Sequence, residues 1–455
     1  FLLLSLTTGI MYGFAAIKPA LLEQQTFSWA CDASSSLSST AAGEGAQCDQ
    51  QLLLINLVFI FASAGMNVLA LVNGIALDRL GRRRWVQVSS VVWALSCATF
   101  GAAAYLPPYV DLFCYCVSAL LLLTTGGGIF MAVITLARHG TTDGRISAEG
   151  VLAAFAITWD LSTGVYWAFE QVYVFLHVQL VWMFEVYAVV IGAALLLLSF
   201  KTVPEEPERV MARRHAGKSE AAEGVKEDET SGGWPWRLLF TVPCLVFTLS
   251  LSFQMLQVSF FMSSVNEQAE WVNSSGSGVF GFFYVSGDHS ERASAQANVF
   301  SLLLFIEAPV SFLLALVMKR IQTYCDANRL PRGSKFALAY YVLAVLGGVW
   351  GLLSCFARPW WLQFGTYVCM IPYRVFMYIC MNTYLLQAYE PKYFGRVNAS
   401  VLVVVGVASL LAYPLNSLEL GLFGGSYFWA NYVLTACTFL STFAVTLAMF
   451  RRDTF

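Results

Sequence analysis

The chain has 455 residues, of which 58% are apolar, 15% aromatic and 12% charged. Soluble domains carry about twice that charged fraction, so a soluble fold of this length is excluded and much of the surface must face lipid. The net charge of −2 is uninformative as a total, and no basic patch interleaved with aromatics supports a nucleic-acid partner.

A helix crossing the hydrocarbon core takes about 20 apolar residues. Helices are the default there because their backbone hydrogen bonds close internally. Twelve continuously apolar runs meet the requirement, near 1–22, 51–76, 85–106, 110–136, 148–168, 178–200, 237–262, 293–318, 336–356, 360–386, 397–418 and 428–450. The first opens at Phe1-Leu2-Leu3-Leu4 without the basic start and cleavage site of a signal peptide, which leaves room for a cytoplasmic tail ahead of it. If that run leaves the cytoplasm, 22 of the 26 Lys and Arg residues fall in cytoplasmic loops, Arg292 and Arg358 fall outside, and Lys18 and Arg374 lie within runs. This asymmetry predicts both termini inside.

The loop 23–50 is then external and holds Cys31 and Cys48, which are expected to form a disulfide or to stand as two free thiols. The second long outer loop, 263–292, holds Asn273-Ser274-Ser275, a glycosylation acceptor. The polar stretch 201–236 divides the runs six and six. It predicts an N-terminal bundle over 1–200, a cytoplasmic linker over 201–236 and a C-terminal bundle over 237–455. A weak internal repeat agrees: Gly144-Arg145-Ile146-Ser147-Ala148 and Gly395-Arg396-Val397-Asn398-Ala399 precede the fifth and eleventh runs, 251 residues apart.

After the second run comes Gly74-Ile75-Ala76-Leu77-Asp78-Arg79-Leu80-Gly81-Arg82-Arg83. This segment resembles the G-x-x-x-D-R-x-G-R-R signature of the major facilitator superfamily. The resemblance implies an all-α membrane protein of twelve transmembrane helices in two pseudo-symmetric six-helix bundles. It also assigns Gly74, Asp78, Arg79, Gly81, Arg82 and Arg83 to a cytoplasmic gate. Gly74 would let another helix approach, Asp78 would meet the positive end of a neighbouring helix, and Gly81 would permit a tight turn. The bland alternative is a run of Arg held inside by the insertion rule. Tyr12-Gly13-Phe14-Ala15, Asn56-Leu57-Val58-Phe59, Thr124-Thr125-Gly126-Gly127-Gly128 and Tyr389-Glu390-Pro391-Lys392-Tyr393-Phe394-Gly395-Arg396 are similar to segments of the sodium-independent facilitators of large neutral amino acids and of the apicomplexan amino-acid transporters. That similarity implies amino-acid transport across a plasma membrane.

Ionisable groups deep in the bilayer cost about 2.5–3.5 kcal/mol each on insertion scales and need a partner or a wet cavity. Glu307 and Arg374 each lie about 14 residues, or roughly 21 Å, below the outer ends of their runs, so the two can pair. Asp160 lies about 18 Å from the cytoplasmic end of its run. Arg374 is a candidate for a substrate carboxylate, and Asp160 and Glu307 for an amino group or cationic side chain; the alternative is a structural ion pair. Gln254 and Gln257 share one helix face, Tyr378 lies one turn from Arg374, and Thr124 and Thr125 precede the run Gly126-Gly127-Gly128. These could line a substrate cavity or serve as interhelical contacts and close packing. Glu185 reads as a snorkelling or structural acid, and Lys18, beside Pro19 near the outer end of the first run, as an interfacial group.

No P-loop, metal-spaced His cluster or Ser-His-Asp set appears, so neither an enzyme nor a cofactor or metal is expected. The reading is a plasma-membrane carrier, functional as a monomer, with a small amino-acid substrate. The surplus of deep acids over Arg374 favours arginine or lysine, with large neutral substrates, proton-coupled symport and a non-transporting receptor on the same fold as alternatives.

Overall fold

The computed structural model describes residues 2–32, 48–140, 158–159, 161–202, 239–274, 299–356, 360–389 and 391–450. Its elements are helical throughout the described residues. Two 3-10 turns, Leu4–Leu6 and Ile10–Gly13, lead into α1 (Phe14–Glu23). Then follow α2 (Asp49–Leu80), α3 (Arg82–Ala102), α4 (Val110–Gly140), α5 (Gly164–Leu176) and α6 (Leu180–Thr202). The later part holds α7 (Val242–Ser274), α8 (Glu307–Ala327), α9 (Arg332–Cys355), α10 (Trp360–Ala388), α11 (Pro391–Ser409), α12 (Ala412–Gly421) and α13 (Phe428–Phe450).

Among the described residues nine helices are long and apolar enough to cross a membrane, or ten if Val299–Ile306 and Pro309–Ala327 form one bent span. The runs near 1–22 and 148–168 are not among them. In the first, Thr7 and Thr8 donate their hydroxyls back to the carbonyls of Leu3 and Leu4, at 2.9 and 3.0 Å. Such local bonds compete with the helical ladder, and regular helix begins only at Phe14. Much of the second, including Asp160, lies outside the described residues, as do the linker and the first copy of the internal repeat.

Helix α7 runs twelve residues beyond the apolar run that predicts it. Ser263, Ser264, Asn266, Glu267 and Gln268 look like the start of an outer loop, yet all are buried. Ser264 bonds within α7, and the other four meet polar groups on other helices instead of water, so hydropathy ends the span too early.

The helices before residue 203 pack chiefly on one another, α3 on α6 and α4, and α4 on α2. Those after 238 do likewise, α9 on α13 and α10, and α7 on α13 and α11. The two groups meet where α2 packs along α11 and α12 and where α1 and α2 touch α7. Gly406 of α11 permits that approach: a Cβ there would stand 2.6 Å from the carbonyl oxygen of Ala64 on α2.

Two local features mark the ends of the bundle. At one, Cys31 and Cys48 are joined in a disulfide beside the start of α2. At the other, α2 turns into α3 through Gly81. Gly81 has φ 75° and ψ 163°, a region open essentially to glycine alone. It ends α2 through its N–H to Leu77 and starts α3 through its carbonyl to Trp85.

Candidate substrate site

Arg374 of α10 and Glu307 at the start of α8 are both buried, at 2% and 0% exposure, with Nη1 and Oε1 3.3 Å apart. Helix α8 begins at Glu307, after the 3-10 turn Leu304–Ile306. The carboxylate therefore stands at the bend between Val299–Ile306 and the helix that follows. Both partners belong to the later group of helices.

The guanidinium also lies over the ring of Tyr12, 4.7 Å from its centroid, an attractive geometry for a cation. Tyr12 belongs to the irregular start of the chain, so this contact spans the two groups of helices. Its ring packs against Phe59 of α2 and Trp159, at centroid distances of 6.2 and 6.3 Å. Trp159 in turn meets Phe130 of α4 edge-on at 5.1 Å. The Tyr12 hydroxyl, although buried, has no hydrogen-bond partner among the described residues. The described residues thus form an apolar, ring-lined centre that holds the Arg374 guanidinium, the Glu307 carboxylate and this hydroxyl.

The other candidates stand in varied places. Thr124 is buried and its hydroxyl has no partner among the described residues, while its carbonyl accepts from Asn73 at 2.8 Å. Thr125 turns its hydroxyl back to Leu121 at 2.6 Å. A Cβ on Gly126 would strike the carbonyl of Thr7, so this glycine admits the unwound start of the chain. One on Gly127 would only touch the Trp159 ring at 3.8 Å, and one on Gly128 would press on the Trp85 indole at 3.0 Å. Tyr378 is half-buried one turn beyond Arg374. Gln254 donates to Ser250 and Thr442 at 3.0 and 2.9 Å, and Gln257 to Thr435 at 3.2 Å. Both amides thus bond toward α13. Asp160 and the side chain of Asn273, in the last turn of α7, lie outside the described residues.

At the arginine-rich end, Gly74 is exposed and a Cβ there would meet nothing within 4 Å. Arg79 is exposed, Arg82 and Arg83 are half-buried, and Arg83 lies 5.5 Å from the centroid of the Phe200 ring. The Asp78 side chain is outside the described residues.

Lys18 differs most from its sequence reading. It is 1% exposed, not interfacial. Its ammonium pairs with Glu267 of α7 and donates to Asn56 Oδ1 of α2 at 2.7 Å. Asn56 also donates to Glu267 at 2.9 Å. The signals were two: Tyr12, Ala15 and Lys18 recur every three residues, and a charged group stands beside Pro19 within an apolar run.

Comparison with known proteins extends this picture. The family model described as Major Facilitator Superfamily matches residues 1–413. The human Large neutral amino acids transporter small subunit 3 is 21% identical over 93% of this chain and 87% of its own length. Protein FMP42 of Saccharomyces cerevisiae is 28% identical over 172 residues, which is 37% of this chain, and the match spans 31% of the length of that relative. Among solved structures, that of the proton:xylose symporter XylE bound to 6-bromo-6-deoxy-D-glucose superposes with a TM-score of 0.61 at 13% identity, covering all of this chain and 95% of that one. With the family matched over most of its length and its apolar helices arranged in that fold, the chain belongs to the Major Facilitator Superfamily and is a multi-pass membrane transporter, not an enzyme.

Proposed function

We propose that the transported molecule is an amino acid, carried by alternating access between two six-helix halves, as a uniporter or exchanger. The observation that carries the reading is Arg374 lying across the two groups of helices on the Tyr12 ring, buried and beside Glu307. A guanidinium binds a carboxylate through paired donors, and an α-carboxylate entering between Tyr12 and Arg374 would exchange an aromatic contact for a charged one. The ring cluster of Tyr12, Phe59, Trp159 and Phe130 suits a large neutral side chain. The human relative at 21% identity bears a name of that class. Glu307 stands 3.3 Å from Arg374, and an acid that neutralises that arginine weakens the surplus that favours arginine or lysine.

One observation keeps the cationic substrate as a second reading. Exposed Glu23 and Asp49 and half-buried Glu270 stand at the disulfide end, and acids at a channel mouth concentrate cations. If the arginine-rich end is taken as cytoplasmic, the open space around Gly74 and the contacts of α1 and α2 with α7 support an inward-open reading of the carrier.

The test is uptake of labelled amino acids into liposomes, with voltage and pH gradients imposed separately. Large neutral substrates should accumulate only to equilibrium and ignore voltage. A cationic substrate would be driven inward by about 2.3 kcal/mol per 100 mV. Proton drive would identify a symporter, and no uptake of any amino acid would reject the reading.

A further inference from the structure

The ion pair at the central site and the one near the disulfide end differ in one respect. Arg374 and Glu307 both belong to helices after 238, so a rocking motion carries them together. Lys18 and Glu267 belong to opposite groups, so parting those groups at the disulfide end separates them. Both are nearly inaccessible, at 1% and 4%. Each would then lose its partner, and opening has to supply water or another charge in its place.

The surroundings are built around this junction. Pro19 has no N–H and so leaves the Ala15 carbonyl without its helical donor. Asn266 of α7 fills the gap, donating to Ala15 at 3.2 Å. Asn56 braces the pair from α2. The second oxygen of Glu267, Oε2, is buried and has no hydrogen-bond partner among the described residues. Opened, the junction would present one cation on one wall and one carboxylate with spare acceptor capacity on the other.

We propose that Lys18 and Glu267 are an outer docking point for a zwitterion: paired, they close the path between the halves, and parted, they take the carboxylate and the ammonium of the entering substrate. The inference rests on the amino-acid reading above and names a site separate from Arg374. The same molecule that breaks the pair supplies both missing partners, so compounds lacking either charge open the outer side poorly.

The experiment uses the full chain in cells and in inside-out vesicles from them, with Ala15→Cys as reporter. Ala15 is buried one turn below Lys18 on the same helix face. A membrane-impermeant methanethiosulfonate is applied from the disulfide side without substrate, against the parent chain as background. In Lys18→Met and in Glu267→Gln the introduced thiol should react severalfold faster than with the intact pair, and the swap Lys18→Glu/Glu267→Lys should return to slow labelling. Glu267→Gln is nearly isosteric and keeps the test open if Lys18→Met does not fold, as judged by size-exclusion of the solubilised protein. Glu267→Gln should also raise the half-saturating substrate concentration on the disulfide side by about tenfold, the loss of one charged hydrogen bond, and on the other side by less than about twofold. Unchanged labelling in a folded single variant overturns the closure. Faster labelling with an unchanged outside half-saturation overturns the docking role. If the unaltered protein takes up no amino acid, the substrate reading fails and docking with it, while labelling still decides the closure.

Discussion

Arg374 and Glu307 stabilise one another where water is scarce, so removing one costs the other a charged contact at 3.3 Å. Arg374→Ala should abolish uptake and lower stability by about 3–5 kcal/mol, the cost of breaking a buried ion pair by removing one partner. Adding Glu307→Gln to it should restore most of the thermal stability in detergent but no transport. Full uptake in the double variant would remove Arg374 from the substrate path. Tyr12 offers a milder probe. Tyr12→Leu keeps apolar bulk but removes the ring face under Arg374, a contact worth about 0.5–2 kcal/mol. Because the entering carboxylate no longer has to displace that contact, the half-saturating concentration should fall by roughly two- to thirtyfold, with little change in folding measured by size-exclusion. The Glu307–Arg374 contact was legible from sequence as an option, because equal depth can be counted along two runs. Tyr12 was not legible as a site residue, since an aromatic in an apolar run reads as packing until its neighbours are known.

At the scale of elements, two glycines allow geometry that a side chain would obstruct. Gly81 joins α2 to α3 at φ 75°. Gly81→Ala should cost about 1–3 kcal/mol of strain, seen as a lower midpoint of thermal unfolding. Gly126 lets α4 receive the carbonyl of Thr7. Gly126→Val should displace the unwound segment before α1 and cost about 1–3 kcal/mol by overpacking, with uptake falling further than stability because Tyr12 belongs to that segment. An unchanged substrate affinity would separate the packing of Gly126 from the site. The glycine run was readable as a motif, but close packing could not be told from a substrate contact, because that depends on which backbone lies opposite. The span lengths show the same gap: α7 continues through buried polar residues that hydropathy assigns to a loop.

For the whole molecule, the alignment of the two groups of helices sets what is open. They touch along α2 and α11, with Gly406 against Ala64. Gly406→Leu should force α2 and α11 apart, leaving an expressed but inactive carrier, as read by uptake against surface labelling. The disulfide joins residues 17 apart near the start of α2. Its loss in Cys31→Ser/Cys48→Ser should cost about 2–4 kcal/mol while transport continues at permissive temperature.

Composition alone required a lipid environment, because 12% charge cannot cover a soluble surface of this size. The apolar runs and the Gly74–Arg83 segment then pointed to the superfamily, since span length and an arginine-rich corner are local properties written along one stretch of chain. Which side chains meet across the bundle is not local. Tertiary contact alone put Arg374 on Tyr12, turned Gln254 and Gln257 toward α13, and moved Lys18 from the interface into a buried pair with Glu267. Hydropathy values each residue against lipid or water, whereas these groups are satisfied by polar partners on other helices.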